Sequence, residues 1–398
     1  VFTHFWDRWN RSGGNLHHSS FNAETQAARA GRFIRTDGET GPKTMPDINY
    51  AFQFDASLYA AFLRKYSEAR GARRVEGKIV DVMQDPESGD ITSLKLESGD
   101  VVEGDFFVDC SGFRGLLIEQ TYKAGYDDWS HWLPVNRACA VPCASVDELI
   151  PYTRATAREY GWQWRIPLQH RTGNGYVYCD EYISEDEAAT KLLDNLDGEA
   201  LAEPRTLRFV TGRRKKTWIN NCVAFGLSSG FLEPLESTSI HLIQFAIAKL
   251  LAMFPGEGIN PRLVTRYNDE MAAEYDNVKD FLIAHYKLTE RNDTPFWDHV
   301  REMDIPDTLQ EKLDIFRTRG EVMARHSELF KETSWYSVLV GQGFSPESYH
   351  PVADAISDDE LRVRLTQVRT GIQNRINGMQ DHKEFIRANC RSPEASFE

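Results

Sequence analysis

Glu236 is followed by Ser237, Thr238 and Ser239, and then by a long apolar run from Ile240 to Phe254. That spacing puts a carboxylate and three hydroxyls at the start of a helix. Unpaired N–H groups at a helix start carry partial positive charge and bind anions. Hydroxyl residues at the same place cap those groups. Two uses of Glu236 are therefore open. It complements the helix dipole, or it stands beside an anion site because a reaction there needs a carboxylate. A second candidate is Asp109-Cys110-Ser111-Gly112, at the end of the apolar stretch Phe106-Phe107-Val108. Small residues at a strand end let a ligand approach the backbone closely, and they suit an ordinary strand-to-helix turn equally well. Third, Trp162 and Trp164 alternate in Gly161-Trp162-Gln163-Trp164-Arg165-Ile166-Pro167, so their rings share one face of a strand. They are core residues or the wall of a site.

The elements around these residues can be read from periodicity. Val223 to Phe225 is a short buried strand, and the run from Ile240, apolar on most faces, is a buried helix. Asp55 to Arg70 is an amphipathic helix, capped by Asp55 or Ser57 and stopped at Gly71. Arg74 to Met83, Thr92 to Glu97 and Val101 to Glu103 alternate as strands, with Ser98-Gly99-Asp100 as a turn. Residues 134–182 and 205–225 form a second sheet, with a surface helix from Ser184 to Asn195 between them. From Ser237 the chain is helical, over 239–254, 261–287, 307–329 and 358–378. Residues 1–50 read as a loop-rich lead-in, and the tail after Ala388 as frayed.

Bulk properties exclude some functions. The 398 residues carry 46 basic and 60 acidic side chains, a net charge of −14, which argues against nucleic acid and against an anionic membrane surface. The basic cluster Arg213-Arg214-Lys215-Lys216 reads as a solvated turn before the strand at Cys222. Six cysteines show no metal spacing and read as free thiols, several of them in buried strands, which suits the cytoplasm. No apolar run reaches membrane-spanning length.

In order along the chain, these motifs resemble the flavin-dependent halogenases, the tryptophan halogenase family. Glu236-Ser237-Thr238 is similar to that family's glutamate-and-halide loop. The stretch from Gly161 to Pro167 is similar to its Trp-x-Trp-x-Ile-Pro signature, which includes Ile166 and Pro167. Asp109 to Gly115 resembles its flavin motif. Tyr50 to Asp55, Gly212-Arg213-Arg214, Asp293 to Trp297, and Gly341 to Gly343 with Ser348 to Pro351 extend the resemblance from about residue 45 to about 355. It implies an α/β fold: a glutathione-reductase-like FAD-binding box of mixed sheets over residues 1–255, and a mostly helical substrate module over 256–398. The chain has no Gly-x-Gly-x-x-Gly and starts at Val1, so that motif and the family's lysine are expected ahead of Val1.

The resemblance also implies a chemistry. Reduced FAD from a separate flavin reductase and O2 oxidise chloride or bromide, held by the N–H groups of Thr238 and Ser239, to hypohalous acid. This halogenates a small indole-like aromatic, with Glu236 polarising the halogen or taking the ring proton. Asp109 and Gly112 are assigned to flavin contact or support, Val75 to the adenine, and Leu227 and Ile240 to the flanks of the isoalloxazine. Trp162 and Trp164 lie near the flavin and hinder direct oxygenation of substrate. The family's best-known members carry glycine where this chain has Ser239, which points to bromide. Arg317 to Thr333 lacks the paired tyrosines of a free-tryptophan clamp. His4 and Phe5 resemble a His-Pro-Phe substrate stretch without its proline. Phe296, Trp297 and Trp335, with Trp6 and Tyr336, are pocket candidates or core aromatics. Two rival readings remain, a related flavin monooxygenase and a truncated relative that binds ligand without catalysis.

Overall fold

Local signals start most of the elements. The computed structural model describes residues 2–35, 48–146, 149–323 and 328–392. The lead-in, expected to be loop, forms helices α1 (Phe2–Arg11) and α2 (Ala23–Arg29) and a short strand β1 (Arg32–Phe33). Asn22 caps α2 by accepting from the Thr25 N–H, a signal the polar composition hid. The part of that lead-in over 36–47 lies outside the described residues. Helix α3 (Ala56–Glu68) is capped by Asp55 as expected, but every residue of it is exposed, including Leu58, Phe62 and Tyr66.

A meander follows: β2 (Ile79–Gln84), β3 (Ile91–Leu96) and β4 (Val101–Glu103), turning at Gly99 with a positive φ of 93°. The first strand therefore starts five residues later than Arg74, and Val75 lies outside it. Strand β5 (Phe107–Asp109) leads to β6 (Tyr126–Asp128). Strands β7 (Arg137–Cys143), β8 (Arg154–Arg158), β9 (Gly161–Pro167), β10 (Thr172–Tyr178) and, after helix α4 (Glu185–Leu193), β11 (Arg205–Arg208) build the five-stranded antiparallel second sheet. Its order is β11-β7-β10-β9-β8. The Ser184 capping box starts α4.

Short strands β12 (Gly212–Arg214), β13 (Trp218–Ile219), β14 (Cys222–Ala224) and β15 (Gly230–Phe231) return the chain to the flavin-motif side. The basic cluster is not a solvated turn. Arg213 and Arg214 lie in β12, where Arg213 pairs with Asp127 and Arg214 is buried against Glu119. Paired guanidiniums can be buried where isolated ones cannot.

The rest is helical: α5 (Ser239–Ala252), α6 (Pro261–Lys287), α7 (Pro295–Glu302), α8 (Asp307–Arg319), α9 (Glu332–Gly341), α10 (Asp358–Asn377), the two-residue strand β16 (Gln380–Asp381) and α11 (His382–Asn389). Helix α8 stops ten residues before the expected end, because Gly320 takes the left-handed conformation that closes a helix. Helix α5 buries only Leu242, Ala246 and Leu250, the stripe that meets α6, while Ile240, Ile247 and Leu251 are exposed. One main core runs across residue 255. It joins Trp162, Val177 and Val223 from the sheets to Leu242, Phe281, Phe296 and Trp335 from the helices. Cys139, Cys143, Cys179 and Cys222 are buried free thiols. Among the described residues no helix is long and apolar enough to cross a membrane.

Candidate active site

Two strands run parallel and stop together. β5 and β14 pair in register, Phe107 with Cys222 and Asp109 with Ala224. The turns after them, Gly112–Arg114 and Gly226–Ser228, pack against one another. The carboxyl ends of parallel strands are where open α/β sheets bind ligands. Asp109 is buried and its oxygens are fully engaged. Oδ2 accepts from the N–H groups of Leu117 and Ile118 at 2.8 and 2.9 Å, and Oδ1 accepts from Ser111 N–H at 2.9 Å and the Ser228 hydroxyl at 3.2 Å. It ties the two turns to each other. Gly112 has φ +73°, and a Cβ there would meet nothing within 4 Å, so its backbone faces open space. Leu227 and Ile240 are exposed beside these turns, and Val75 is exposed on the segment before β2.

The next turn, Pro234–Glu236, carries a carboxylate on each flank. Glu233 is completely buried. Its Oε2 accepts from the Tyr286 hydroxyl at 2.8 Å and from Trp162 Nε1 at 3.2 Å, while its Oε1 has no partner among the described residues. Burial pushes its pKa up to about 7, against the two donors, which pull it down. Glu236 is partly exposed, and its Oε1 lies 2.9 Å from His285 Nε2. Ser237 takes a left-handed conformation with φ 54°, and Thr238 follows as the residue before α5. The expected hydroxyl cap is absent. No side chain caps α5 among the described residues, and the Thr238 hydroxyl is buried without a partner. The left-handed Ser237 sets this geometry, because Thr238 is then helical rather than extended and its hydroxyl turns away from the first N–H groups. The helix start next to Glu236 thus has first-turn N–H groups that no side chain among the described residues caps.

The signature strand β9 reaches the same place. Trp162 and Trp164 do share a face, in register with Val177 and Gly175 of β10. Their ring centroids are 6.1 Å apart. Trp162 is buried and gives its N–H to Glu233. Trp164 lies flat over Gly175, where any Cβ would collide with the indole. Ile166 pairs with Gly173 on that face, and Pro167 ends the strand.

A profile of the family described as Tryptophan halogenase matches residues 1–358. The chain belongs to the tryptophan halogenase family. It is 37% identical over 324 residues to tryptophan 7-halogenase RebH from Lentzea aerocolonigenes, covering 76% of this chain and 61% of RebH. The chain spans about three fifths of the length of the curated relatives it matches. Among solved structures, Xcc4156, a flavin-dependent halogenase from Xanthomonas campestris, superposes with a TM-score of 0.95 at 45% identity, covering 98% of this chain and 78% of that one. BrvH, a flavin-dependent halogenase from Brevundimonas sp. BAL3, gives 0.94 at 39%, covering 97% and 79%. The fold is the α/β fold of the flavin-dependent halogenases.

In this halogenase-family chain the substrate candidates sit deep. Phe296 and Trp335 are fully buried, and Trp297 donates its N–H to the Arg158 carbonyl at 2.8 Å. The Lys312 ammonium stands 4.1 Å from the centre of the Trp335 ring. His4 is buried in α1 with its ring 5.5 Å from that of His350, and burial holds its pKa below the usual value; Phe5 is half-buried. Trp6 and Tyr336 meet edge to face, and Tyr336 donates to Asp7 at 2.6 Å. Reading the sequence missed three residues around this turn: Glu233 on its flank, His285 against Glu236, and Tyr286 against Glu233. Glu233 in Glu-Pro-Leu-Glu was visible as a second acid. Nothing local marked His285 or Tyr286.

Proposed function

We propose that the protein is a flavin-dependent halogenase that takes reduced FAD from a separate flavin reductase and halogenates a small, indole-like, electron-rich aromatic. Bound FAD would supply, with O2, the two-electron oxidation of halide to hypohalous acid. The turns at Gly112 and Gly226–Ser228 would hold it, braced by Asp109, with Leu227 and Ile240 against its ring and Val75 near its adenine. Open backbone at Gly112 beside exposed apolar side chains fits a flat, polar-edged ring. The N–H groups of Thr238 and Ser239 would hold the halide, chloride or bromide. The Ser239 side chain crowds that site and favours bromide turnover. Trp162 and Trp164, with Ile166 and Pro167 ending their strand, keep the organic substrate away from the flavin. The ring proton passes to Glu236, the one acid at the uncapped helix start that is both accessible and close to the anion site. Aromatic side chains at Phe296, Trp297 and Trp335, with His4 and Phe5, would shape the substrate pocket. Four buried thiols fit a reducing compartment such as the cytoplasm.

The observation that carries this reading is the uncapped start of α5 beside Glu236, at the end of two parallel strands. The test is aerobic turnover with FAD, a flavin reductase, NADH, bromide and indole, read by mass spectrometry for the bromine isotope doublet. Catalase controls for free peroxide. Bromoindole from wild type, and little from Glu236→Gln, supports the reading. Hydroxylated indole without halogenation would replace it with a monooxygenase.

A further inference from the structure

Helix α6 answers each carboxylate of the 234–236 turn with one of two consecutive residues. Tyr286 donates to Glu233, and His285 meets Glu236. The histidine is fixed from behind. Its Nδ1 lies 2.8 Å from the Phe281 carbonyl, one turn earlier on the same helix. A carbonyl oxygen only accepts, so Nδ1 carries a proton. In a neutral imidazole Nε2 then presents a lone pair, 2.9 Å from a carboxylate oxygen. Two lone pairs at that distance repel, so the pair holds one more proton. Carried on Nε2, that proton makes the contact a charge-assisted hydrogen bond from the imidazole to the carboxylate.

The surroundings agree. Glu236 and Glu233 face His285 from the turn, Phe281 packs edge-on at 4.9 Å, and from α9 Gln342 donates to the His285 carbonyl at 3.1 Å. We propose that His285 is the positioning residue of Glu236: an imidazolium clamped to the Phe281 carbonyl, which keeps Glu236 ionised, holds its Oε1 toward α6 and leaves its Oε2 for the reacting ring. The inference rests on Glu236 as proton acceptor. When the ring carbon loses hydrogen, the C–H electron pair returns to the ring and the proton goes to Glu236. His285 ensures that the acceptor is empty and aimed when that happens.

Two measurements test the pair on the full chain. The first needs no turnover. With isotope-labelled histidine, the His285 ring signals, assigned by their loss in His285→Gln, should show both nitrogens protonated in wild type. In Glu236→Gln the same ring should lose its Nε2 proton under the same conditions. A His285 ring that titrates alike in wild type and Glu236→Gln overturns the proposal, whether or not the protein halogenates. The second is kinetic. His285→Asn keeps a donor for Phe281 but cannot reach Glu236, and should lower kcat for bromoindole about 10- to 100-fold with the bromide KM unchanged. His285→Gln reaches Glu236 with a neutral donor and should recover part of that loss. A kcat for His285→Asn within about twofold of wild type overturns the proposal. If wild type halogenates nothing while the ring signals behave as expected, the pairing stands and the halogenase reading fails.

Discussion

Glu233 and Glu236 lie three residues apart and meet opposite surroundings. Glu233 is sealed in the core, with two donors on one oxygen and, among the described residues, none on the other. Glu236 keeps a third of its side chain exposed and faces one imidazole. A buried carboxyl with a bare oxygen is cheaper neutral than charged. A carboxyl a third exposed, with an imidazole nitrogen at 2.9 Å, keeps access to solvent. The same residue type is thus a structural pin at one end of the turn and, in the proposed reaction, the proton acceptor at the other. Tyr286 and Trp162 hold the pin to α6 and to β9, which fixes the height of the turn that carries Glu236.

The comparison can be broken at either end. The largest effect is expected at Glu236. Glu236→Gln should lower halogenation kcat by about 10²- to 10⁴-fold, the usual loss of a general base, with folding unchanged by circular dichroism. At the other end, Tyr286→Phe removes one of Glu233's two donors in a fully buried setting. It should cost about 1–3 kcal/mol in urea unfolding, with a smaller effect on kcat than Glu236→Gln. An unchanged unfolding midpoint would show that Tyr286 does not pin the turn.

The pH dependence sharpens the contrast. The folded pKa of Glu233 is raised, from 4.5 to about 7, so the folded chain holds a proton there that the unfolded chain has released. Its contribution is complete below about pH 4.5 and is lost as pH rises through about 7. Asp7, buried and pushed up to about 6, acts in the same sense. Glu233→Gln should therefore show a shallower fall in stability than wild type between those pH values, with the Asp7 part common to both. Parallel curves would mean that Glu233 is ionised in the fold. The smallest effect is expected at the helix start. Ser239→Gly relieves crowding at the anion site and should raise the chloride-to-bromide product ratio severalfold, about 1 kcal/mol in relative barrier. An unchanged ratio would place the halide choice elsewhere.

Much of the fold was legible because local rules set it. Helix α6 begins at Pro261 behind an Asn260 cap and ends at Lys287, the limits its periodicity gave. Asp55 caps α3, and Gly99 turns β3 into β4. The site was legible as motifs, since Glu236, Gly112 and Trp162 each stand in a recognisable stretch. Helix α1 was missed although its two faces differ strongly in polarity, and two of its three buried residues, His4 and Asp7, are polar; α2 buries only Ala27. The exposed flank of α5 was read as buried because its sequence does not say which neighbours it has.

By itself, the sequence determined the family, the limits of α6, the approximate limits of α3, α4, α5 and α10, and that Glu236 stands near a helix start. Those follow from periodicity, caps and short-range spacing, which act over a few residues. The tertiary structure decided the rest. It left α5 uncapped by turning Ser237 left-handed, and it separated the two glutamates into a neutral pin and an accessible acid. It also brought His285 and Tyr286 from a helix far along the chain to face them. Charge state and aim depend on burial and on partners across the fold, and neither is a property of the residues next in line.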